Sequence, residues 1–142
     1  MTTYDPDNIF AKILRGELPC HKLFEDEHNF AFMDIMPRGP GHCLVIPKAP
    51  VRNILDAGDD VLSRLYPAIA KVARAAKSAF QADGVTIQQF NEAAGGQVVF
   101  HMHVHIIPRF EGVSMGPPAS QMEKPDVLAA NADRIRAALA EV

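Results

Sequence analysis

Apolar residues recur at helical spacing in three parts of the chain. These parts are residues 9–14, 59–82 and 126–140. For the first of them, Asp5 or Asp7 is a suitable N-cap and Gly16 marks the end, which predicts a short helix. The second is the longest, and Pro67 predicts a kink or a break in it near Tyr66, because proline cannot donate the helical hydrogen bond. The pattern therefore predicts three helices.

Other parts of the chain are short, apolar and rich in β-branched or aromatic residues, which indicates strands. They are a hairpin over 21–34 and strands over 43–46, 85–91 and 98–107. Glycine and proline separate them, most clearly between Pro37 and Gly41 and again at Pro108. Because helices and strands do not alternate regularly, this order favours an α+β fold with an antiparallel sheet.

Composition narrows the class of protein. A chain of 142 residues with 48% apolar and 22% charged residues is expected to form one globular domain. A net charge of −3, without a run of lysine or arginine, argues against a nucleic-acid partner or an anionic membrane surface. The sequence has no apolar run that predicts a membrane helix or a signal peptide. With two well-separated cysteines, these features predict a cytoplasmic protein.

Three of the six histidines, His101, His103 and His105, follow one another at every second position. In a strand, residues two apart point to the same side, so the three imidazoles are expected to share one face while the apolar residues between them bury the other. A single histidine is usually a hydrogen-bonded core or surface residue. Three on one face are unusual, because imidazolium groups repel one another below their ordinary pKa of about 6.5.

Two kinds of chemistry fit three histidines on one face. Neutral imidazole is a nucleophile that can form a labile bond to phosphorus, and neighbouring histidines can orient it or donate protons. The alternative is a metal site built on an HxH pair. However, the outer two histidines lie about 13 Å apart along a strand, and the chain has no CxxC or HExxH motif to complete such a site. We therefore expect neither a metal nor a cofactor.

A glycine-containing loop, residues 91–97, directly precedes the histidines. Gly95 and Gly96 allow close approach of the backbone, and the N–H groups of such a loop can surround phosphate oxygens. A simple hairpin turn is the alternative interpretation, and the glycines alone do not separate the two.

These features together resemble the histidine triad (HIT) family of nucleotide hydrolases and transferases. The resemblance rests on the sequence HMHVHII at 101–107 and extends from about residue 8 to residue 110. Its other parts, in order, are NIFAKI at 8–13, FMDI at 32–35, GHCLVIPK at 41–48, NE at 91–92 and GGQ at 95–97.

The resemblance implies an α+β, HIT-like fold with a five-stranded antiparallel sheet, flanking helices and a homodimer. One HIT domain would cover residues 1–142, with a core over about 8–110 and a C-terminal extension over 111–142 that carries an extra helix. We expect this extension to pack on the domain, the alternatives being that it covers the site or crosses a dimer. Family members cleave nucleotides, commonly purine nucleotides, that carry a leaving group on the α-phosphate, such as phosphoramidates or dinucleoside polyphosphates.

The resemblance also implies a role for each histidine. His103 would attack the α-phosphorus and form a nucleotidyl-histidine that water then resolves. His101 would help to orient His103, and His105 would contact the phosphate. A histidine rather than a glutamine at position 105 favours the hydrolase branches of the family.

A nucleotide-binding set follows from the same resemblance. Asn91, Gln97 and the loop at Gly96 would bind phosphate oxygens, and Asp34 would accept hydrogen bonds from the ribose hydroxyls. The base would lie in an apolar slot formed by Ile9, Phe10, Ile13, Phe32 and Ile35. Without the resemblance, these apolar residues would be interpreted as core and Asp34 as a turn or cap residue.

Two departures from the family pattern matter. Val98 stands where many members carry a serine that assists the leaving group, so slower cleavage of substrates with an amine leaving group is expected. Valine at position 98 also mildly favours an alternative function, in which the protein is a nucleotide-binding regulatory module with weak or no turnover. Members that hold a structural zinc have two cysteines and a histidine where this chain has Asn8, Ala11 and Pro50, which predicts no structural zinc.

Overall fold

A computed structural model describes residues 3–141 and confirms the α+β fold. The helices are α1 (Ile9–Leu14), α2 (Asp59–Ala79) and α3 (Pro125–Leu139), with a short 3₁₀ turn over Ala93–Gly95. The strands are β1 (Lys22–Glu25), β2 (Asn29–Met33), β3 (Cys43–Pro47), β4 (Gly84–Gln88) and β5 (Val104–Arg109). They form one antiparallel sheet in the order β1-β2-β3-β5-β4, as predicted. Between residues 3 and 141, the helices are too short or too polar to cross a membrane.

Alternation along the strands gives the sheet two different faces. Helices α2 and α3 cover the first face, here called the helix face, which carries the side chains of Ala31, Met33, Val45, Val104 and Ile106. Helix α1 lies against the second face, here called the histidine face, which carries those of Phe30, Phe32, Leu44, Ile46 and His105. Leu44 and His105 are direct partners across β3 and β5, so the triad belongs to the second face.

Helix α2 supplies most of the cover on the helix face. Leu65, Ile69 and Val72 lie one turn apart and are buried against the sheet. The helix runs unbroken through Pro67, so the predicted break near Tyr66 does not occur. Apolar contacts on both sides of the proline hold the helix against the sheet, which offsets the hydrogen bond that Pro67 cannot donate.

Two local predictions need correction. The strand predicted over 98–107 begins only at Val104, because Met102 donates its main-chain hydrogen bond to Val51 in the loop after β3 rather than to β3 itself. His101 and His103 therefore precede the strand. The N-cap of α1 is Asn8, whose side chain accepts from the N–H of Ala11, and neither Asp5 nor Asp7 takes that place. The other boundaries differ from the predicted ones by up to three residues.

The C-terminal residues pack on the body of the domain. Leu128, Ala132 and Ile135 of α3 join the same core as α2, and Arg136 donates a hydrogen bond to the main chain of β1. The segment between β5 and α3 runs beside the loop that follows β2. There the N–H of Gly116 and that of Glu123 each donate to a carbonyl of that loop, in both cases at 2.8 Å.

Candidate active site

The histidines meet where the histidine face reaches the first turn of α1. His103 lies between the ring of Phe10 in α1, at 4.9 Å between ring centroids, and the ring of His105, at 5.1 Å. His103 and His101 are buried, and His105 is partly exposed. The structure thus brings together the three histidines that the alternation predicted, although only His105 lies within the strand.

The proton of His103 has a fixed place. Its Nδ1 lies 2.7 Å from the carbonyl oxygen of His101, and a carbonyl can only accept. Nδ1 therefore carries the proton, and Nε2 keeps its lone pair as long as the ring is neutral. Burial lowers the pKa of His103 below its ordinary value and so favours the neutral ring. An imidazole held in this way is ready to act as a nucleophile through Nε2.

His105 is held through His42, a residue that the sequence analysis did not assign to the site. The main-chain N–H of Arg38 donates to Nδ1 of His42 at 2.9 Å, so the proton of neutral His42 lies on Nε2. From there it is donated to Nδ1 of His105, also at 2.9 Å. His105 must then carry its own proton on Nε2. Burial lowers the pKa of His42 to about 4 and that of His105 to about 3, so both rings are neutral at pH 7.

Asp34 lies next to the hydrogen-bonded pair of His42 and His105. Its Oδ2 lies 3.3 Å from Nε2 of His42 and 3.8 Å from Nδ1 of His105, while Oδ1 accepts from the N–H of Met36 at 2.8 Å. Burial raises the pKa of Asp34 to about 6. The carboxyl is partly exposed beside the triad, which is compatible with the predicted role towards ribose.

Asp34, His42 and His105 each have one atom that could ligate a metal, and these three atoms lie within 4.8 Å of one another, close enough to bind one ion. Ligation through Nε2 of His42 would move its proton to Nδ1, directly against the N–H of Arg38. The group therefore fits a chain of hydrogen bonds better than a metal site. That the protein uses no metal stays a prediction.

The glycine loop is braced from inside by Gln97. The side-chain oxygen of Gln97 accepts from the N–H of Glu92 at 2.8 Å and from Asn53 at 3.0 Å, and its amide nitrogen donates to the carbonyls of Arg52 at 2.7 Å and Val99 at 3.0 Å. The predicted contact between this amide and a phosphate would break one of these bonds. In this conformation Gln97 shapes the loop instead. The sequence could not show this, because a glutamine beside glycines looks the same whether its amide points in or out.

The other predicted phosphate-binding residues are also engaged inside the loop. Gly96 has φ +99° and donates its N–H to Ala93 at 3.0 Å, and a Cβ there would lie 3.2 Å from the ring of Phe90. Asn91 accepts from the N–H of Ile54 at 2.9 Å. Val98 is 79% exposed at the end of the loop. What the loop offers a ligand is therefore its outer surface near Val98.

The five residues predicted to form a base slot fall into two groups. Phe10 and Phe32 are buried together on the histidine face, 5.3 Å apart between ring centroids, and Ile13 packs against them. Ile9 and Ile35 are 49% and 46% exposed. These two are the most exposed of the five.

Comparison with known proteins identifies the family. The sequence model described as the HIT domain matches residues 15–112, which is more than half of the chain. The chain belongs to the HIT family. This confirms the resemblance that the histidine pattern indicated.

Similar proteins agree with this assignment. The chain is 42% identical to Protein hit of Bacillus subtilis over 102 residues, which cover 72% of this chain and 70% of that one. It is 35% identical to the adenosine 5′-monophosphoramidase HNT1 of Saccharomyces cerevisiae over 124 residues, 85% of this chain and 76% of that one. A crystal structure of a Hit-like protein involved in cell-cycle regulation from Bartonella henselae, which holds an unknown ligand, matches with a TM-score of 0.90. It is 51% identical in sequence, and the match covers 96% of this chain and 99% of that one.

Proposed function

We propose that this HIT protein is a nucleotide hydrolase that cleaves at the α-phosphate of nucleoside phosphoramidates or dinucleoside polyphosphates. The observation that carries the proposal is the protonation state of His103. Its Nδ1 proton is held by the carbonyl of His101, which leaves the Nε2 lone pair free beside His105. The kinship with an adenosine 5′-monophosphoramidase supports an amine as one leaving group.

The reaction takes two displacements at phosphorus. Nε2 of His103 forms a bond to the α-phosphorus as the bond to the leaving group breaks, and the leaving amine or phosphate takes up a proton from solvent as it departs. Water then attacks the phosphorus and gives up a proton to solvent, the P–N bond to His103 breaks, and a nucleoside monophosphate is released with His103 neutral again. His105 presents the N–H of Nε2 to a phosphate oxygen, because its Nδ1 is occupied by His42. The buried site strengthens this hydrogen bond.

The rest of the nucleotide lies against the neighbouring residues. Asp34 accepts from the ribose hydroxyls, and a purine ring rests on the exposed side chains of Ile9 and Ile35. The surface of the loop near Val98 lies towards the phosphate. The working form is a cytoplasmic homodimer that needs no metal.

Steady-state hydrolysis of adenosine 5′-phosphoramidate and diadenosine tetraphosphate by chelator-treated protein tests the proposal. We expect turnover that His103→Ala reduces at least about 10³-fold, because the attacking atom is lost. His28→Ala is the matched control, since the side chain of His28 is 40% exposed and its Nε2 lies 3.6 Å from Glu27, and it should keep full activity.

Other outcomes contradict parts of the proposal. Nucleotide binding without turnover of either substrate favours the regulatory module, which the exposed valine at position 98 already favours mildly. Activity that is lost on chelation and restored by a metal ion favours the site at Asp34, His42 and His105.

A further inference from the structure

Tyr4, in the N-terminal segment, contacts His101, the first histidine of the triad. The hydroxyl of Tyr4 lies 2.6 Å from Nδ1 of His101, and the two rings meet edge to face at 5.6 Å between centroids. The segment between Tyr4 and α1 is tied down by hydrogen bonds. Asn8 donates to the carbonyl of Asp5 at 2.7 Å, and Arg15 at the end of α1 donates to that of Pro6, also at 2.7 Å.

The partners of His101 fix the direction of its bond with Tyr4. Nε2 of His101 lies 2.8 Å from the carbonyl oxygen of Pro47, and this oxygen can only accept, so Nε2 carries the proton. Burial lowers the pKa of His101 to about 4, which keeps the ring neutral at pH 7. Nδ1 then holds a lone pair, and the hydroxyl of Tyr4 is the donor to it.

His101 in turn holds the nucleophile. Its carbonyl oxygen accepts the Nδ1 proton of His103 at 2.7 Å, so the position of His101 sets both the orientation and the tautomer of His103. We propose that Tyr4 is a positioning residue whose hydroxyl locks the ring of His101 and thereby aims Nε2 of His103 at the phosphorus. The inference rests on the proposed hydrolase function.

Loss of the hydroxyl would leave a buried acceptor without a partner. His101 is fully buried, so its Nδ1 could recover a hydrogen bond only if water entered or the ring turned away from Pro47. Either change loosens the main chain on which His103 depends. The effect should appear in kcat rather than KM, because Tyr4 contacts His101, which orients His103 and does not itself contact the substrate in the proposed reaction.

Tyr4→Phe tests the hydroxyl alone, because it keeps the ring and its edge-to-face contact. The matched control is Tyr66→Phe, which removes the same group from a tyrosine that is 57% exposed on α2. We expect Tyr4→Phe to lower kcat about fivefold, the effect of one neutral hydrogen bond, with KM unchanged. Tyr66→Phe should match the parent protein in both constants.

Nitrogen-15 NMR of the histidine rings gives a readout that needs no turnover. In Tyr4→Phe the Nδ1 resonance of His101 should move downfield, towards that of an imidazole nitrogen without a hydrogen-bond donor. The ring should also titrate at a higher pH, because the donor stabilises its neutral form. The charged and titratable groups that act on His101 in addition to Tyr4 are His103 and Asp56, and they are the same in both proteins.

The outcomes separate this inference from the proposed function. An unchanged His101 spectrum in folded Tyr4→Phe overturns the inference, and so does a kcat equal to that of Tyr66→Phe. If the parent protein cleaves neither substrate, the hydrolase proposal fails, while the shifted His101 resonance still establishes that Tyr4 holds this ring.

Discussion

The two faces of the sheet use the same strands for different purposes. On the helix face, Val45, Val104 and Ile106 pack beneath two long helices. On the histidine face, His105 lies between those last two residues in sequence and contacts the rings of His42, Phe90 and His103. Alternation along β5 thus puts apolar packing and titratable side chains back to back.

The two faces differ in how the burial of their side chains changes the stability of the fold. Apolar side chains gain stability in proportion to the area they remove from water. Imidazoles lose hydration when they are buried, and they remain only because each finds a partner. For His101 the partners are a hydroxyl and a carbonyl, for His103 a carbonyl, and for His105 another imidazole. Burial of the rings on the histidine face therefore lowers the stability of the fold, and at the same time it keeps the rings neutral and oriented.

The largest expected effect is the response of the histidine face to acid. The pKa values of His42, His101 and His105 lie at about 4, 4 and 3 in the folded protein, against about 6.5 in the unfolded chain. As the pH falls from 6.5 towards 4, the unfolded chain binds protons that the folded protein excludes, so stability is lost. Asp34, with a pKa raised to about 6, opposes this loss, but one group does not outweigh three.

We expect the free energy of unfolding to fall by roughly 4 kcal/mol between pH 7 and pH 5. Urea unfolding at the two pH values measures it. His101→Phe should reduce the difference, because it removes one of these three buried histidines. Equal stability at the two pH values would contradict the comparison, because the histidine face would then respond to acid like the helix face.

The second-largest expected effect is a loss of stability when the core on the helix face is changed. Ile135 of α3 is fully buried in the main core, so Ile135→Ala should cost about 3 kcal/mol of stability through a cavity. Because this residue is on the face opposite the triad, kcat of the folded variant should not change. Thermal unfolding and steady-state kinetics measure the two quantities. Leu55→Ala, at a residue that is 73% exposed, is the control and should change neither. A large loss of kcat in folded Ile135→Ala would show that the two faces are coupled.

His42→Phe sharpens the comparison within the histidine face. It keeps an aromatic ring but leaves the N–H of Arg38 and Nδ1 of His105 without their partner. We expect kcat to fall about tenfold, because His105 is no longer held in one tautomer, and stability to fall by about 1–3 kcal/mol. His28→Phe should match the parent protein. If His42→Phe lost stability and kept its full kcat, His42 would be only a structural residue.

Part of this site could be predicted from the sequence because alternation is a local property. The histidines and the apolar residues between them separate onto two faces even before β5 begins, since Met102 lies in the same core as Val104. The helix α2 and the hairpin formed by β1 and β2 follow from equally local patterns.

The partners of the triad could not be predicted in this way. His42 is 63 residues from His105, and Tyr4 is 97 residues from His101. Each is a single polar residue in a loop or terminal segment, and only the folded chain shows that it meets a triad ring. Long-range hydrogen bonds such as these depend on how the sheet is ordered rather than on any local spacing.

The smallest expected effect concerns the leaving group. Val98 lies at the exposed end of the glycine loop and cannot donate a hydrogen bond. Val98→Ser should raise kcat on adenosine 5′-phosphoramidate a few-fold, about the effect of one neutral hydrogen bond to the departing amine. It should change kcat on diadenosine tetraphosphate less, because a phosphate leaves more easily without such help. Val98→Ala, which shortens the side chain without adding a donor, separates the hydroxyl from the change in size. Equal gains in Val98→Ser and Val98→Ala would mean that the size of the valine side chain obstructs the leaving group. In that case the shape of the site, and not a missing hydrogen bond, would limit kcat on the phosphoramidate.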